Sequence, residues 1–542
     1  MSPSPATSAI ELNTAPNPLN TAPNPLNTAP NPTATLFSEL SQPTEPAEPH
    51  IPVSKSRTVA IIFCITCISG ISNLLAGLLT VCIPVIAVDL NFPPELQLWP
   101  ASAFALACGC TLLLCASAAD VVGCRRVCLV GALLQSASAL GAGLSKSPSQ
   151  LIALRAIAGV AASFCLPSAV GIAARAFPAA NSPRSRSAAF AAMGSGQAVG
   201  FGLGLVLGGV FSGTIGWRWG FYIAAILNVV VLLVAVWALP AGIDDVALGR
   251  ETLRHLARDI DWIGCVLIST ALALLSYELA VVSGSDASEK IRQPANLVML
   301  CAGIALLPAF AAWMHYQKQR RRPALIPNDI WKNLPFTTVC VTVFLIWGSL
   351  NASEQFTALY LQEVRGFSPL TSSLYFLPAP ICGALMNVAI GISLPYLRPS
   401  FAVPVGCLVS GIAPLLLATL CGVDGPNYWR AVFQAMAMNP LGADLIYTIA
   451  NLVVTSAFPT KTQALAGAVF QMLSQIGKSV GIATTAVIAQ QVTASSQIHN
   501  MNEAVLRGYK AGWIYNCGLG FASVLVSLWG LRSVGKLGVK MD

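Results

Sequence analysis

Charge is what this sequence has little of. Only 10% of its 542 residues are Asp, Glu, Lys or Arg, whereas 55% are hydrophobic. Soluble domains carry about 25% charged residues. A chain this long with so little charge cannot cover a water-facing surface. A large soluble enzyme, a disordered scaffold and a nucleic-acid binder are excluded together. Histidine is scarcer: His50, His255, His315 and His499 all lie outside the apolar runs, so a haem held by paired histidines has no ligands. No clustered His or Cys ligands, and no nucleophile with its base, mark an enzyme site. A phosphate-binding loop is missing as well. Gly477-Lys478-Ser479 has the right ending, but the leading glycine would fall at Met472 and the stretch is apolar. The sequence calls for no cofactor, no metal and no ATP.

Cysteine is present, with 16 residues, but most sit inside apolar runs, where they fill space as small apolar groups. A disulfide framework would place them in the segments between the runs.

What the chain has is long apolar runs. A membrane-spanning helix needs about 20 mostly apolar residues. Fourteen such spans are expected, near 61–88, 97–119, 127–145, 149–174, 187–213, 219–239, 261–283, 296–316, 336–361, 370–394, 402–421, 428–457, 463–491 and 510–531. The first 58 residues differ. Asn13-Thr-Ala-Pro-Asn-Pro-Leu19 recurs at 20–26 and, truncated, at 27–32. A tail so rich in Pro, Asn and Thr has little to bury and is expected to be disordered. An amphipathic surface helix is expected over 249–259. With the tail in the cytoplasm, 20 Lys and Arg fall on the cytoplasmic side, 8 on the other, and Arg155 and Lys478 within spans. This asymmetry predicts both termini in the cytoplasm. The basic run Lys318–Arg322 anchors that orientation.

Polar groups are costly in hydrocarbon, so those inside spans usually face a cavity or a partner. Helix periodicity puts Gln471, Ser474, Gln475 and Lys478 on one face. It does the same for Asp444, Tyr447, Thr448 and Asn451, for Trp347, Asn351, Glu354 and Gln355, and for Asn73, Gly77, Thr80 and Pro84. These faces predict a shared aqueous cavity, the alternative being interhelical hydrogen bonds that only hold the bundle. Asp444 and Lys478 are expected to face each other or the cavity, because an unpaired mid-membrane charge is unfavourable. Glu354 is a second carboxylate able to carry a proton. Gly196, Gly200, Gly204 and Gly208 recur every four residues and form a smooth stripe for close helix approach, either a static seam or one that slides.

Several segments resemble the signatures of one family. Asp120-Val-Val-Gly123-Cys-Arg125-Arg126 is similar to the loop motif between the second and third helices of the major facilitator superfamily. Arg155 with Gly159 resembles its fourth-helix signature, whose arginine is implicated in proton transfer. Gly200–Gly209, followed by Gly216-Trp217-Arg218-Trp219, resembles the antiporter motif. There Gly204-Leu205-Val-Leu-Gly208-Gly209 stands where the family has Gly-Pro-x-x-Gly-Gly. Thr80 to Leu90 is similar to the end of the first-helix motif, with Leu75 where an early carboxylate is usual. Over roughly 59–531 the chain resembles the fourteen-span drug–proton antiporter branch, in its fungal multidrug-transporter form.

The resemblance implies an all-α polytopic membrane protein of the major facilitator fold, with 14 transmembrane helices arranged as two six-helix halves plus an inserted pair. The corresponding boundaries are 1–58 for the tail, 59–240 for the first half, 241–334 for the extra pair, 335–531 for the second half and 532–542 for a short tail. It implies a monomeric secondary transporter whose partners are protons, a small-molecule substrate and the lipid bilayer, without nucleic acid. Proton coupling would fall to Asp444, Glu354 and Arg155. The cavity would draw on Asn73, Trp347, Asn351, Gln355, Tyr447, Asn451, Gln471, Gln475 and Lys478. Asp120, Gly123, Arg125, Arg126, Gly200, Gly204, Gly208 and Gly209 would serve gating. The activity expected is proton-coupled efflux of small amphipathic organic compounds across the plasma membrane, with the vacuolar membrane as alternative. An importer or uncoupled facilitator of a nutrient or iron chelate on the same fold is the second reading. A non-transporting membrane sensor is the more remote one.

Overall fold

A computed structural model of the chain describes residues 55–177, 183–239, 249–258, 260–282, 292–320, 322, 324–393, 398–458 and 460–532. The tail repeats at 13–32 lie outside the described residues. No strand occurs among those described.

The first six long helices are α1 (Lys55–Asp89), α2 (Trp99–Val122), α3 (Cys124–Leu144), α4 (Pro148–Ala176), α5 (Pro183–Gly213) and α6 (Arg218–Ala238). A short surface helix, α7 (Arg250–Arg258), precedes the pair α8 (Trp262–Val282) and α9 (Pro294–Gln319). The rest comprises α10 (Leu334–Leu359), α11 (Pro369–Phe376), α12 (Pro378–Ser393), α13 (Pro399–Leu420), α14 (Val432–Met438), α15 (Pro440–Ala457), α16 (Thr460–Ala494) and α17 (Met501–Gly530). Among the described residues twelve spans are long and apolar enough to cross a membrane. The other two of the expected fourteen are α8 and the α14–α15 unit. The fold is all-helical and polytopic, and α7 falls on the amphipathic segment expected there.

Helix starts follow local chemistry. Proline occupies the first turn of α2, α4, α9, α10, α11, α13 and α15, where its missing N–H costs nothing. Ser147, Asn333 and Ser368 cap α4, α10 and α11 by accepting from the N–H of Gln150, Phe336 and Thr371. Two expected spans are broken in the middle. Pro378 separates α11 from α12, and Pro440 separates α14 from α15, because proline cannot donate to the preceding turn. At the second break Ser410 repairs the ladder. Its hydroxyl donates to the carbonyl of Asn439 (2.8 Å) and accepts from the N–H of Gly442 (2.7 Å).

The helices pair in a repeated pattern. In the first half α1 packs on α5, α2 on α4, α3 on α4 and α3 on α6. In the second, α10 packs on α16, α12 on α15, α13 on α15 and α13 on α17, the same order of spans. Two six-helix halves result. The inserted pair, α8 with α9, packs on itself, and α8 also touches α2 and α16. Asp261 fixes this pair: its Oδ1 accepts from the N–H of Gly264 (2.9 Å) and from Trp313 (2.9 Å). Beyond α9, Asp329 bridges Lys318 and Lys332, and these ammonium groups hold its carboxyl well below the usual range, at about 2. The halves touch where α2 meets α16 and where α5 meets α11 and α12.

Candidate functional site

Contacts between the halves have a direction. Call the end where α1 begins proximal, and the end carrying residues 90–98 distal. Among the described residues five polar links cross between halves. Gln97 donates to Glu363 (2.7 Å), Gln490 to the carbonyl of Pro94 (3.0 Å), Gln362 to that of Val81 (2.8 Å), Gln355 to the hydroxyl of Thr80 (2.9 Å), and Ser102 bonds Ser479 (2.8 Å). On the first half all five fall within residues 80–102, at the distal end of α1 and the start of α2. Glu363 is also gripped by Tyr509 of its own half (2.5 Å). Gln97, Gln490 and Glu363 were not among the residues expected from sequence.

The glycine stripe resolves into a seam within one half. Gly196, Gly200, Gly204 and Gly208 of α5 lie against Thr66, Gly70, Leu74 and Leu78 of α1, one turn at a time. A Cβ on Gly208 would stand 2.9 Å from the carbonyl of Leu78. The seam therefore locks α1 to α5. Gly209 looks the other way: a Cβ there would stand 2.8 Å from the Cβ of Ser373 in the opposite half. Gly202 likewise meets Pro380. The second half has a matching seam, with Gly477 and Gly481 of α16 against Phe344 and Gly348 of α10.

The loop expected to gate sits at the proximal end. Gly123, at φ 109°, makes the turn between α2 and α3 in a conformation that other residues rarely adopt. Arg125 donates to the carbonyls of Leu239 (2.9 Å) and Val236 (3.2 Å), and Arg126 to that of Val122 (3.0 Å). Each arginine satisfies carbonyls left open at a helix C-terminus. Asp120 pairs with Arg175 at 3.8 Å. These contacts all run within the first half.

The charges inside the spans are only partly brought together. Arg155, 2% exposed, donates through Nε to the carbonyl of Pro100 (3.3 Å) and lies 4.5 Å over the ring of Phe104. Glu354, 6% exposed, and Lys478, half-buried, act on each other electrostatically, as Arg155 does on Lys478. Glu354 and Lys478 form no ion pair among the described residues. Asp444 does not meet Lys478, contrary to the first of the two expectations for them. It faces α12, where its Oδ2 stands over Gly383 and Asn387 interacts with the carboxylate. Both charges sit mid-span, but their helix faces point at different neighbours. Oδ2 is buried without a hydrogen-bond partner.

Among the remaining cavity residues, Asn73, Trp347, Asn351, Tyr447, Gln471 and Gln475 are all half-buried. Asn73 and Asn351 turn their amides back to the carbonyls of Ser69 and Trp347 one turn earlier. Gln355 is buried and donates to Thr80 across the halves. The side chain of Asn451 lies outside the described residues.

Comparison with known proteins is decisive at the level of family. The sequence model described as the Major Facilitator Superfamily matches residues 62–482. The chain belongs to the major facilitator superfamily. It is thus a multi-pass integral membrane protein of a transporter family, not of an enzyme family. It is 34% identical to "MFS-type transporter 1" of Pyricularia oryzae, over 99% of this chain and 94% of that one. It is 24% identical to "Efflux pump terJ" of Aspergillus terreus, over 88% and 89%. Among solved structures, a bacterial homologue of the human lysosomal transporter Spinster, in an inward-facing and unoccupied conformation, superposes with a TM-score of 0.59 at 14% identity, covering 89% of this chain and 98% of that one. Major facilitator proteins are transporters of two packed halves, and the links named above join the two halves of this chain at the distal end.

Proposed function

We propose that the protein exports small amphipathic organic compounds, such as drugs, toxins or secondary metabolites, in exchange for protons by alternating access. The carrying observation is that the five polar links found between the halves among the described residues cluster at the distal end, while Asn73, Trp347, Asn351, Tyr447, Gln471 and Gln475 within the spans stay half-buried. Such groups in hydrocarbon are stable where they border water. The placement of Lys and Arg supports a cytoplasmic proximal end and cytoplasmic termini, and hence an inward-facing posture here. Relatives named as an efflux pump and as the aminotriazole and puromycin resistance proteins support the outward direction. The plasma membrane is the site of action on this reading.

The mechanism follows from burial of charge. Substrate enters from the cytoplasm or the inner leaflet between Asn73, Trp347, Asn351, Tyr447 and Gln475. The halves then rock, each held rigid by its own glycine seam. Outer closure dissolves, and Asp120, Arg125 and Arg126 take up contacts that shut the cytoplasmic end. A proton from outside neutralises Asp444 or Glu354, which removes a buried charge and favours return. Leu75, in place of an early carboxylate, and Leu205, in place of the antiporter proline, favour an uncoupled facilitator as the second reading.

The test is substitution of the two carboxylates in cells loaded with a fluorescent or toxic compound, with and without a proton uncoupler. Asp444→Asn is expected to abolish uncoupler-sensitive efflux. Normal uncoupler-sensitive efflux in Asp444→Asn, and again in Glu354→Gln, would overturn the proton assignment.

A further inference from the structure

The chemistry left over is an excess of positive charge where the halves meet. Arg155 of the first half and Ser479, the residue after Lys478 in the second, bond to the same turn of α2. Arg155 bonds the carbonyl of Pro100 and covers Phe104. Ser479, beside Lys478, bonds Ser102. Lys478 is half-buried, and among the described residues it has neither a hydrogen bond nor an ion pair. One carboxylate, Glu354, acts on it. The other mid-span carboxylate, Asp444, is turned to Gly383 and Asn387 on α12 and is not available. Two cations thus share one anion, in a place where water is limited and an uncompensated charge is costly. Gln475 lies one turn from Lys478 on α16, and α10 packs on the same stretch through Gly348, against Gly477 and Gly481, with Trp347 next to Gly348 half-buried.

We propose that the cargo is an organic anion, a carboxylate or sulfonate on an aromatic or aliphatic body, and that Lys478 takes its anionic group while Arg155 supplies the second positive charge. This rests on the transporter reading and narrows it to one substrate class. The ammonium of Lys478 donates up to three hydrogen bonds to the anion. Gln475 serves the remaining polar atoms, and Trp347 on α10 covers the apolar body. A monoanion cancels the surplus charge and makes the loaded site neutral. The inside-negative potential of a cell then favours outward movement of the anion before any proton is exchanged.

The experiment uses the full chain, purified and reconstituted in vesicles, with probes matched in size: carboxyfluorescein and a sulfonated naphthalene as anions, rhodamine 6G as cation and a neutral ester. Anion transport with little movement of rhodamine 6G is expected. Lys478→Gln is expected to weaken anion transport about 10- to 100-fold, the loss of a charge-assisted hydrogen bond, and Lys478→Arg to restore most of it. Thermal stabilisation of the unaltered protein by the anions, and not by the cation, is a readout that needs no variant to fold. Transport of rhodamine 6G in preference to both anions, or full anion transport by Lys478→Gln, would overturn the proposal and leave the transporter reading intact. Failure to move any probe would remove both.

Discussion

Removing two of the distal links at once should loosen that end in proportion to the hydrogen bonds lost. Gln97→Ala deletes the donor to Glu363, and Gln490→Ala the donor to the carbonyl of Pro94. Both bonds are exposed, so neither loss leaves a buried polar atom stranded. Each contributes about 0.5–1.5 kcal/mol net, the Gln97 bond toward the upper end because its acceptor is charged. Together they amount to roughly 1–3 kcal/mol, a shift of about 5- to 150-fold toward the distally open posture. Gln362, Gln355 and Ser102 remain, so closure weakens without being lost. Hydrogen exchange read by mass spectrometry over residues 90–98 and 490–500 reports this directly. Exchange there should quicken in the double variant by about that factor, while α3 and α6, far from the interface, stay unchanged. Equal exchange in the variant and the parent would refute the assignment of these residues to closure. Faster exchange throughout the chain would mean general destabilisation instead.

The seam and the helix break offer two further checks by thermal unfolding in detergent. Gly204→Ala forces a methyl into the carbonyl of Leu74 and should cost about 1–3 kcal/mol, whereas Gly194→Ala, with no atom within 4 Å of the added methyl, should cost nothing or stabilise slightly. Equal stability of the two would refute the locked α1–α5 seam. Ser410→Ala strands the carbonyl of Asn439 and the N–H of Gly442 and should cost about 1–3 kcal/mol, while Thr419→Ala on the exposed face of the same helix should cost far less.

The spans were readable because apolar length is a local property, and so were the polar faces, which depend only on helix period. What lies between helices was not readable in the same way. Asp444 and Lys478 share a depth, but depth does not say which neighbour each face meets, and Asp444 turned out to look at Gly383. The stripe from Gly196 to Gly208 announced a close approach without announcing its partner. That partner, α1, lies in the same half, which makes the stripe a lock. Gly477 and Gly481 carried the same four-residue signal in the second half, hidden beneath a resemblance to a phosphate loop. Pro378 and Pro440 stood in plain sight inside apolar runs and mark the two broken spans. The distal links had no periodic signal, because Gln97, Glu363 and Gln490 sit at helix ends and in turns, where only the folded chain brings them together.

Coupled export is the central claim, and purified protein in sealed vesicles tests it with nothing else present. An outward-directed or inward-directed pH gradient is imposed, and movement of an organic probe is followed together with the internal pH. The account predicts that the probe moves against its own gradient when protons run in the opposite direction, that the internal pH changes in step, and that Asp444→Asn abolishes both. Probe movement that only ever follows the probe's own gradient, with no change in internal pH, would contradict it.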